Sequence, residues 1–194
     1  MLIQMKLLTD TVFGNGNSIP GGEDIAVLCD DNGFPYYRGS TFKGIFREEL
    51  LRLLAWKGVD SSESEQIADR LLGKPGDADD FDGSAQFSDF IIPDSVKKVV
   101  WEGTGKSGEK VKECLTHLRT FTAIDETGTA KEGSLRMARC VNKGLSFVGG
   151  IDCTPDQKEL IKEVLPMIKW VGSMRNRGFG KVEFTVRGVR QFGA

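Results

Sequence analysis

The sequence predicts an α+β fold in which short strands flank two amphipathic helices. Three observations indicate it. Residues 1–13 alternate apolar and polar side chains, as a half-buried strand does. Residues 41–56 place apolar side chains at helical spacing, and a second helical pattern follows Thr154. A final strand is predicted over residues 182–189.

Between the first strand and the first helix, we expect a glycine-rich loop at residues 14–22 and a short strand at residues 25–29. The first helix is predicted to bury one apolar face and to end before Gly58. Its buried face comprises Phe42, Phe46, Leu50, Leu53 and Leu54. Residues 57–83 are predicted to be an acidic insertion, with a short helix possible from Ser62.

The second half of the chain predicts strands at residues 85–92, 135–141 and 145–151. Residues 94–134 match no single pattern and are predicted to be an insertion. Thr154 to Gln157 forms a capping box, and Pro166 predicts that the second helix kinks or stops early. With the insertions set aside, the order fits a ferredoxin-like or RRM-like β-α-β-β-α-β core within a single domain, residues 1–194.

The charge is unevenly distributed along the chain. Residues 57–95 contain ten acidic and three basic side chains, whereas residues 96–194 contain 18 Lys and Arg against 11 Asp and Glu. This asymmetry indicates that any nucleic-acid binding is confined to one face. No apolar run is long enough to span a membrane, and no signal-peptide profile is present, so we expect a cytoplasmic protein with no membrane partner.

The cysteines and the single histidine give only weak evidence for a metal site. The four cysteines are widely spaced, and His117 is the only histidine. Cys114 and His117 lie three residues apart, which leaves zinc binding open, but no second pair of ligands accompanies them. Reduced thiols are the expected state.

A loop between the second helix and the last strand combines two arginines, an aromatic side chain and two glycines. These residues are Arg175, Arg177, Gly178, Phe179 and Gly180. Glycine lets the backbone approach a ligand closely, arginine matches phosphate oxygens, and an aromatic ring can stack on a base. The loop is therefore a candidate RNA-binding segment; an ordinary turn is the alternative.

A second candidate segment lies at the start of the first helix, over residues 34–47. Ser40 or Thr41 is predicted to be the N-cap, and Lys43 and Arg47 are spaced to share one helix face. With Arg38, these residues predict an anion site at the helix N-terminus. A capped helix with solvated charges is the alternative.

Together, the two segments resemble the RAMP superfamily of CRISPR effector proteins, which has a Pro-x-x-x-Gly-Ser-(Ser/Thr)-x-Lys-Gly-x-x-Arg signature and a later Arg-Gly-(Phe/Tyr)-Gly loop. The matching segments begin at Pro35 and Arg177. Three further matches resemble the repeated backbone subunit of type III complexes: Gly21 to Asp30, Phe87 to Asp89, and Ala123 to Ala130. The resemblance places the last of these in or beside a protruding thumb, so residues 94–134 are expected to include one.

The resemblance implies a role and a catalytic residue. The role is to bind CRISPR guide RNA together with other subunits and copies of the chain, and to cut paired target RNA. By motif position, Asp24 is the residue that would hold Mg²⁺ or another divalent cation beside the scissile phosphate. Glu23 and Asp30 are the fallback carboxylates. The family more often has an apolar residue at the position of Glu23.

The sequence leaves other functions open. A structural RAMP subunit that binds guide RNA without cutting is the main alternative. A RAMP nuclease that processes precursor guide RNA relies on a histidine site, for which His117 is poorly placed. An RRM-like binder outside the family would need aromatic-rich strands, which residues 181–186 do not supply.

Overall fold

The structure is a computed structural model of the 194-residue chain, and it describes residues 1–14, 23–74, 83–123, 125–131 and 133–188. Its elements, in chain order, are β1 (Leu2–Leu7), α1 (Gly39–Trp56), α2 (Ser61–Leu72), β2 (Gln86–Phe87), α3 (Asp94–Gly103), α4 (Gly108–Leu115), β3 (Thr116–Phe121), β4 (Arg136–Val141), β5 (Ser146–Asp152), α5 (Gln157–Val164) and β6 (Val182–Val186).

Four strands form the main sheet in the order β2-β5-β1-β6, and all neighbouring pairs are antiparallel. With the other elements set aside, β1-α1-β2-β5-α5-β6 is the predicted β-α-β-β-α-β core. The α+β fold class is thus confirmed. Within the described residues, no helix is long and apolar enough to cross a membrane.

The core lies between the main sheet and the helices. Alternate side chains of β1 and β5 point into it, as the two-residue period of a strand requires. On α1, the buried side chains follow helical spacing, as the sequence predicts. The central residues are Ile3, Met5, Leu7, Phe42, Phe46, Leu50, Phe147 and Ile151.

Three predicted strands differ in the structure. The first, predicted over residues 1–13, ends at Leu7. Residues 25–29 form no continuous strand because their pairing partner changes: Ile25 bridges Ala138, Val27 bridges Gly14, and Cys29 bridges Pro35. Over residues 85–92, the ladder of β2 is interrupted and resumes with Ile91 opposite Val148.

The predicted strands at residues 135–141 and 145–151 belong to different sheets. β4 pairs with β3 along its whole length, whereas β5 pairs with β1 and β2. The segment 94–134 therefore contains helices α3 and α4, strand β3 and most of the connection from β3 to β4. The sequence gives no clear pattern for this segment because α3 has no fully buried residue to mark an inner face. Its role as a thumb stays a prediction.

Helix boundaries agree with the prediction except at the starts of α5 and α1. The last helix stops early, since α5 ends at Val164 and a 3-10 turn containing Pro166 follows. It begins at Gln157, whose side chain accepts a hydrogen bond from the Thr154 N–H at 3.0 Å, so only one half of the predicted capping box forms. The start of α1 also differs from the prediction.

Candidate nucleic-acid interface

Helix α1 begins at Gly39, one residue before the predicted cap. The residue before it, Arg38, has extended backbone geometry and makes no side-chain cap, so Ser40 and Thr41 lie inside the first turn and neither is the N-cap. The Gly39 N–H instead donates to Oδ1 of Asp89 at 2.8 Å. Because this carboxylate already occupies part of the helix N-terminus, an anion there would have to rely on neighbouring side chains.

The start of α1 is packed closely against the strand region after β2. A Cβ atom at Gly39 would lie 2.4 Å from the Phe87 carbonyl oxygen, so a side chain would not fit. The Tyr37 backbone pairs with Phe90 through hydrogen bonds of 3.0 and 2.8 Å. These contacts fix Arg38 on the exposed side of the junction.

The glycine-rich loop folds as a 3-10 turn, Arg175–Arg177, between two residues with left-handed backbone geometry, Met174 and Gly178. Gly180 also has positive φ, and its N–H donates to the Asp10 carbonyl at 2.9 Å. Both arginines are exposed.

Phe179 does not lie open to a base, contrary to the expectation from sequence. Its ring is 5% exposed and packs in a small cluster with Val12 and Cys140. Phe121 meets it edge-on with ring centroids 5.6 Å apart. The ring therefore supports the loop from inside.

The two candidate segments, far apart in sequence, meet at one cleft of about 260 Å³. Thr41 lines it from the first turn of α1 and Arg38 from just before the helix, and Ser173 and Arg175 line it from the loop. Tyr37 lies in its wall, where burial raises the pKa of the phenol to about 12, partly offset by the Gly172 backbone and by Arg175. The cleft has cationic and hydroxyl groups suited to phosphate oxygens.

Arg47 is not part of this cleft. Its guanidinium donates to the Gly73 carbonyl at 3.0 Å and to Glu65 at 3.1 Å, and it also pairs with Asp69. The side chain is 16% exposed. Arg47 therefore joins α1 to α2, and the predicted shared anion site of Lys43 and Arg47 does not form. Lys43 is half-buried on the second turn of α1.

Asp24 lines a neighbouring cleft of about 420 Å³, together with Met174, Arg177 and Arg136. Its Oδ2 accepts a hydrogen bond from the Met137 N–H at 2.6 Å, and Arg136 Nη1 lies 3.5 Å from Oδ1. The Asp24 side chain is 38% exposed. Ser173 and Arg175 line the first cleft, and Met174 and Arg177 line this one, so the carboxylate is next to the arginine-lined site.

The two fallback carboxylates have other partners. Asp30 Oδ1 accepts the N–H groups of Asn32 and Phe34, and its Oδ2 pairs with Lys97 at 2.8 Å. Glu23 is buried and pairs with Arg139. Of Glu23, Asp24 and Asp30, only Asp24 lines one of these two clefts. Gly21, Gly22 and the acidic run at 77–82 lie outside the described residues.

The β3–β4 hairpin adds basic side chains that sequence reasoning missed. Lys131, Arg136 and Arg177 line a further cleft of about 390 Å³ beside Phe121. Arg177 lies 5.7 Å from the Phe121 ring centre, and Arg119 lies 5.6 Å from that of Phe179, so the aromatic pair orients both guanidinium groups. The strand register, which pairs Phe121 with Arg136 and Arg119 with Ala138, brings Arg119 and Arg136 to the same end of the ladder, and no local sequence pattern indicates it.

A dedicated metal centre is not formed by the described part of the chain, where no group of three or more His, Cys, Asp or Glu side chains is placed to hold an ion. His117 Nδ1 lies 2.7 Å from Asn142 Oδ1, and Nε2 lies 3.5 Å from Asp10. These contacts give His117 a structural role and weaken the zinc alternative with the exposed Cys114. A divalent ion at Asp24 would have one protein carboxylate, with the other ligands coming from RNA and water.

The chain belongs to the RAMP superfamily, whose family model matches residues 4–183. No curated protein matches the sequence.

Solved structures show the same fold at low sequence identity. A chain of a type III-B Cmr-beta complex bound to cognate target RNA is 12% identical, with a TM-score of 0.69 over 94% of this chain and 95% of that one. A chain of the apo type III-B Cmr-beta complex is 13% identical, with a TM-score of 0.67 over 98% and 97% of the two chains.

Proposed function

We propose that the chain is a guide-RNA-binding backbone subunit of a type III CRISPR effector complex and that Asp24 takes part in metal-dependent cutting of paired target RNA. Membership of the RAMP superfamily and the likeness to Cmr-beta chains support the placement in such a complex. One observation above all supports the RNA-binding role: Arg38 and Arg175, from two distant segments, line the same cleft.

RNA would lie along the arginine-lined surface with its phosphates facing the protein. Arg38 and Arg175 would hold one part of the backbone, and Arg177 and Arg136 would hold the part that passes Asp24. Since these groups contact phosphates, we expect binding to depend little on base sequence. Contacts with sugar hydroxyls are open to Thr41 and Ser173.

At Asp24, a bound divalent ion would polarise a phosphate and offset charge on the leaving oxygen. The chain's own contribution is to fix the carboxylate, because the Met137 N–H holds Oδ2. Arg136 Nη1 lies 3.5 Å from Oδ1, so the guanidinium borders the same carboxylate. The Arg177 guanidinium, oriented by Phe121, is positioned to contact RNA in the same cleft.

A non-cleaving structural RAMP subunit is the second candidate. It is favoured by the isolation of Asp24, since none of the other residues that line its cleft is a carboxylate. In that case Asp24 would only anchor its own segment to β4 through Met137. The two candidates predict the same RNA binding and differ in whether an assembled complex cuts target RNA in Mg²⁺.

RNA binding can be tested by measuring the affinity for unrelated single-stranded RNAs over a range of salt concentrations. We expect Arg38→Ala with Arg175→Ala to weaken binding to every sequence alike and to reduce the salt slope by about 0.7 for each lost phosphate contact. Arg52→Ala is the matched control, because Arg52 is an exposed arginine of α1 that lies outside the cleft and pairs with Glu49. An unchanged affinity and salt slope in the double variant would contradict the proposal.

A further inference from the structure

Glu23 and Asp24 are adjacent carboxylates that point in opposite directions. The side chain of Glu23 is 8% exposed, whereas that of Asp24 is 38% exposed. Their segment lies along β4, where Ile25 bridges Ala138 in parallel. The chain bends at Asp24, so the two neighbouring side chains leave the backbone on different sides, Glu23 toward the interior and Asp24 toward the cleft.

Glu23 is held by cations from two other elements. Arg139 of β4 donates to Glu23 Oε1 through Nε, and Lys112 of α4 lies 3.6 Å from the same oxygen. Arg139 also donates to Thr116 Oγ1 at 3.1 Å. One inward carboxylate thus joins the segment to both α4 and the β3–β4 hairpin.

Backbone hydrogen bonds carry this constraint to Asp24. The Asp24 N–H donates to the Met137 carbonyl at 2.8 Å, and the Arg139 N–H donates to the Ile25 carbonyl at 3.0 Å. A shift of this segment along β4 would separate Glu23 from Arg139. That shift is opposed because the Arg139 guanidinium, in a side chain that is 15% exposed, would be left without its carboxylate partner.

We propose that Glu23 is a positioning residue, which fixes the register of residues 23–25 on β4 and so presents the Asp24 carboxylate in its cleft. The importance of Glu23 for cutting rests on the proposed role of Asp24 in that reaction. The effect of Glu23 on the register of residues 23–25 is a property of the free chain. Glu23 Oε2 is buried without a hydrogen-bond partner in the described structure, so the contacts act through Oε1 alone.

The first test is amide hydrogen exchange on the free, full-length chain. Glu23→Ala should make the amides of Asp24, Ile25 and Arg139 exchange at least about tenfold faster, because the segment opens more often once its anchor is lost. Glu163→Ala, which breaks an exposed ion pair with Lys57, is the control and should leave them unchanged. Unchanged exchange in Glu23→Ala would overturn the proposal.

Glu23→Gln serves as a second variant if the alanine variant does not fold. It keeps the side-chain volume and one acceptor oxygen but removes the charge that pairs with Arg139 and Lys112. We expect exchange at the same amides to be at least about threefold faster than in the parent chain, between the parent and alanine values. Exchange equal to that of the parent would contradict a charge-dependent anchor.

The second test separates the positioning role from the catalytic proposal. In an assembled complex, Glu23→Ala should slow cutting and raise the Mg²⁺ concentration needed for half-maximal rate, while RNA affinity stays the same. If Asp24→Ala abolishes cutting but Glu23→Ala cuts at the parent rate, the positioning proposal fails and the catalytic one stands. If Asp24→Ala cuts normally, the catalytic proposal fails, and the exchange experiment alone decides the role of Glu23.

Discussion

Gly180 occupies a position in the arginine loop where a side chain does not fit. Its φ is +81°, and an added Cβ would lie 2.0 Å from the Val171 carbonyl oxygen. The Val171 N–H donates to the Gly180 carbonyl at 2.8 Å, and this hydrogen bond closes the loop. The glycine in the family signature therefore has a structural explanation independent of ligand contact.

We predict that Gly180→Ala lowers the free energy of unfolding by at least about 2 kcal/mol, from left-handed strain and overlap together. Gly178→Ala is the matched control, since its φ is +83° but an added Cβ meets nothing within 4 Å. It should cost only about 1 kcal/mol. Equal losses in a denaturant titration would contradict the packing argument.

Asp125, in the segment that resembles the thumb motif, organises its own loop. Its carboxylate accepts hydrogen bonds from the backbone and hydroxyl groups of Thr127 and Thr129, at 2.6 to 3.1 Å. The side-chain hydrogen bond from Thr127 is the largest cause that lowers the pKa of Asp125 from 3.8 to about 2. The loop is thus ordered by the ionised form.

This arrangement predicts how the loop responds to acid. Because the pKa in the folded chain is lowered, the contribution of Asp125 is fully present above pH 3.8 and is lost as the pH falls through about 2. Thr127→Val should raise the pKa toward 3.8, as measured by NMR titration of the carboxyl carbon. An unchanged pKa would show that the Thr127 hydroxyl does not hold the carboxylate.

Among the elements, α1 has two different roles along its length. Thr41 in its first turn, and Arg38 just before it, line the cleft, whereas Arg47 in the middle of the helix binds α2. Buried apolar residues on α2 complete this contact, namely Ala68, Leu71 and Leu72. Helix α2, which lies within the predicted acidic insertion, therefore packs against the body of the protein.

We expect Arg47→Ala to lower the free energy of unfolding by about 1–3 kcal/mol, because the carboxylates of α2 and the Gly73 carbonyl lose their partner. RNA affinity should remain unchanged, in contrast to Arg38→Ala. Arg52→Ala on the same helix should lower stability by less, about 1 kcal/mol, since Arg52 is 54% exposed and its ion pair is with Glu49 alone. A loss of RNA binding in a fully folded Arg47→Ala variant would contradict this assignment and indicate that Arg47 contacts RNA.

Sequence patterns predicted the elements whose signal is local. The apolar spacing of α1, the early stop at Pro166 and the glycine loop all depend on near neighbours in the chain. The ion pairs of Glu23 with Arg139 and of Arg47 with Asp69 span 116 and 22 residues, and no local pattern encodes them. For the same reason, Phe179 was predicted to face a ligand: its partner Phe121 is 58 positions away in the chain.

At the scale of the whole molecule, the basic clefts and the acidic segment occupy different parts of the chain. Arg38, Arg136, Arg175 and Arg177 line neighbouring clefts, whereas the described acidic residues of α2 are paired with Arg47 or exposed. A net charge of −2 is therefore compatible with a local RNA-binding face.

We expect several copies of the chain to load on a single-stranded RNA of about 40 nucleotides, because one basic face covers only a few nucleotides. Copies of one chain along a strand meet through heterologous contacts, which need not close. Sedimentation with and without the RNA measures the stoichiometry. A strict one-to-one complex on the long RNA would indicate a subunit at the end of an assembly.

In the proposed function, Asp24 performs chemistry beside a separate arginine-lined RNA site. The most direct measurement is target-RNA cutting in Mg²⁺ by an assembled complex, together with RNA affinity, for the parent chain, Asp24→Ala and the control Asp31→Ala. Asp31 is a nearby exposed carboxylate. Removing a negative charge beside RNA does not weaken binding. We therefore predict that Asp24→Ala abolishes cutting at regular spacing with undiminished affinity, while Asp31→Ala cuts normally. Normal cutting by Asp24→Ala would contradict the catalytic role of Asp24.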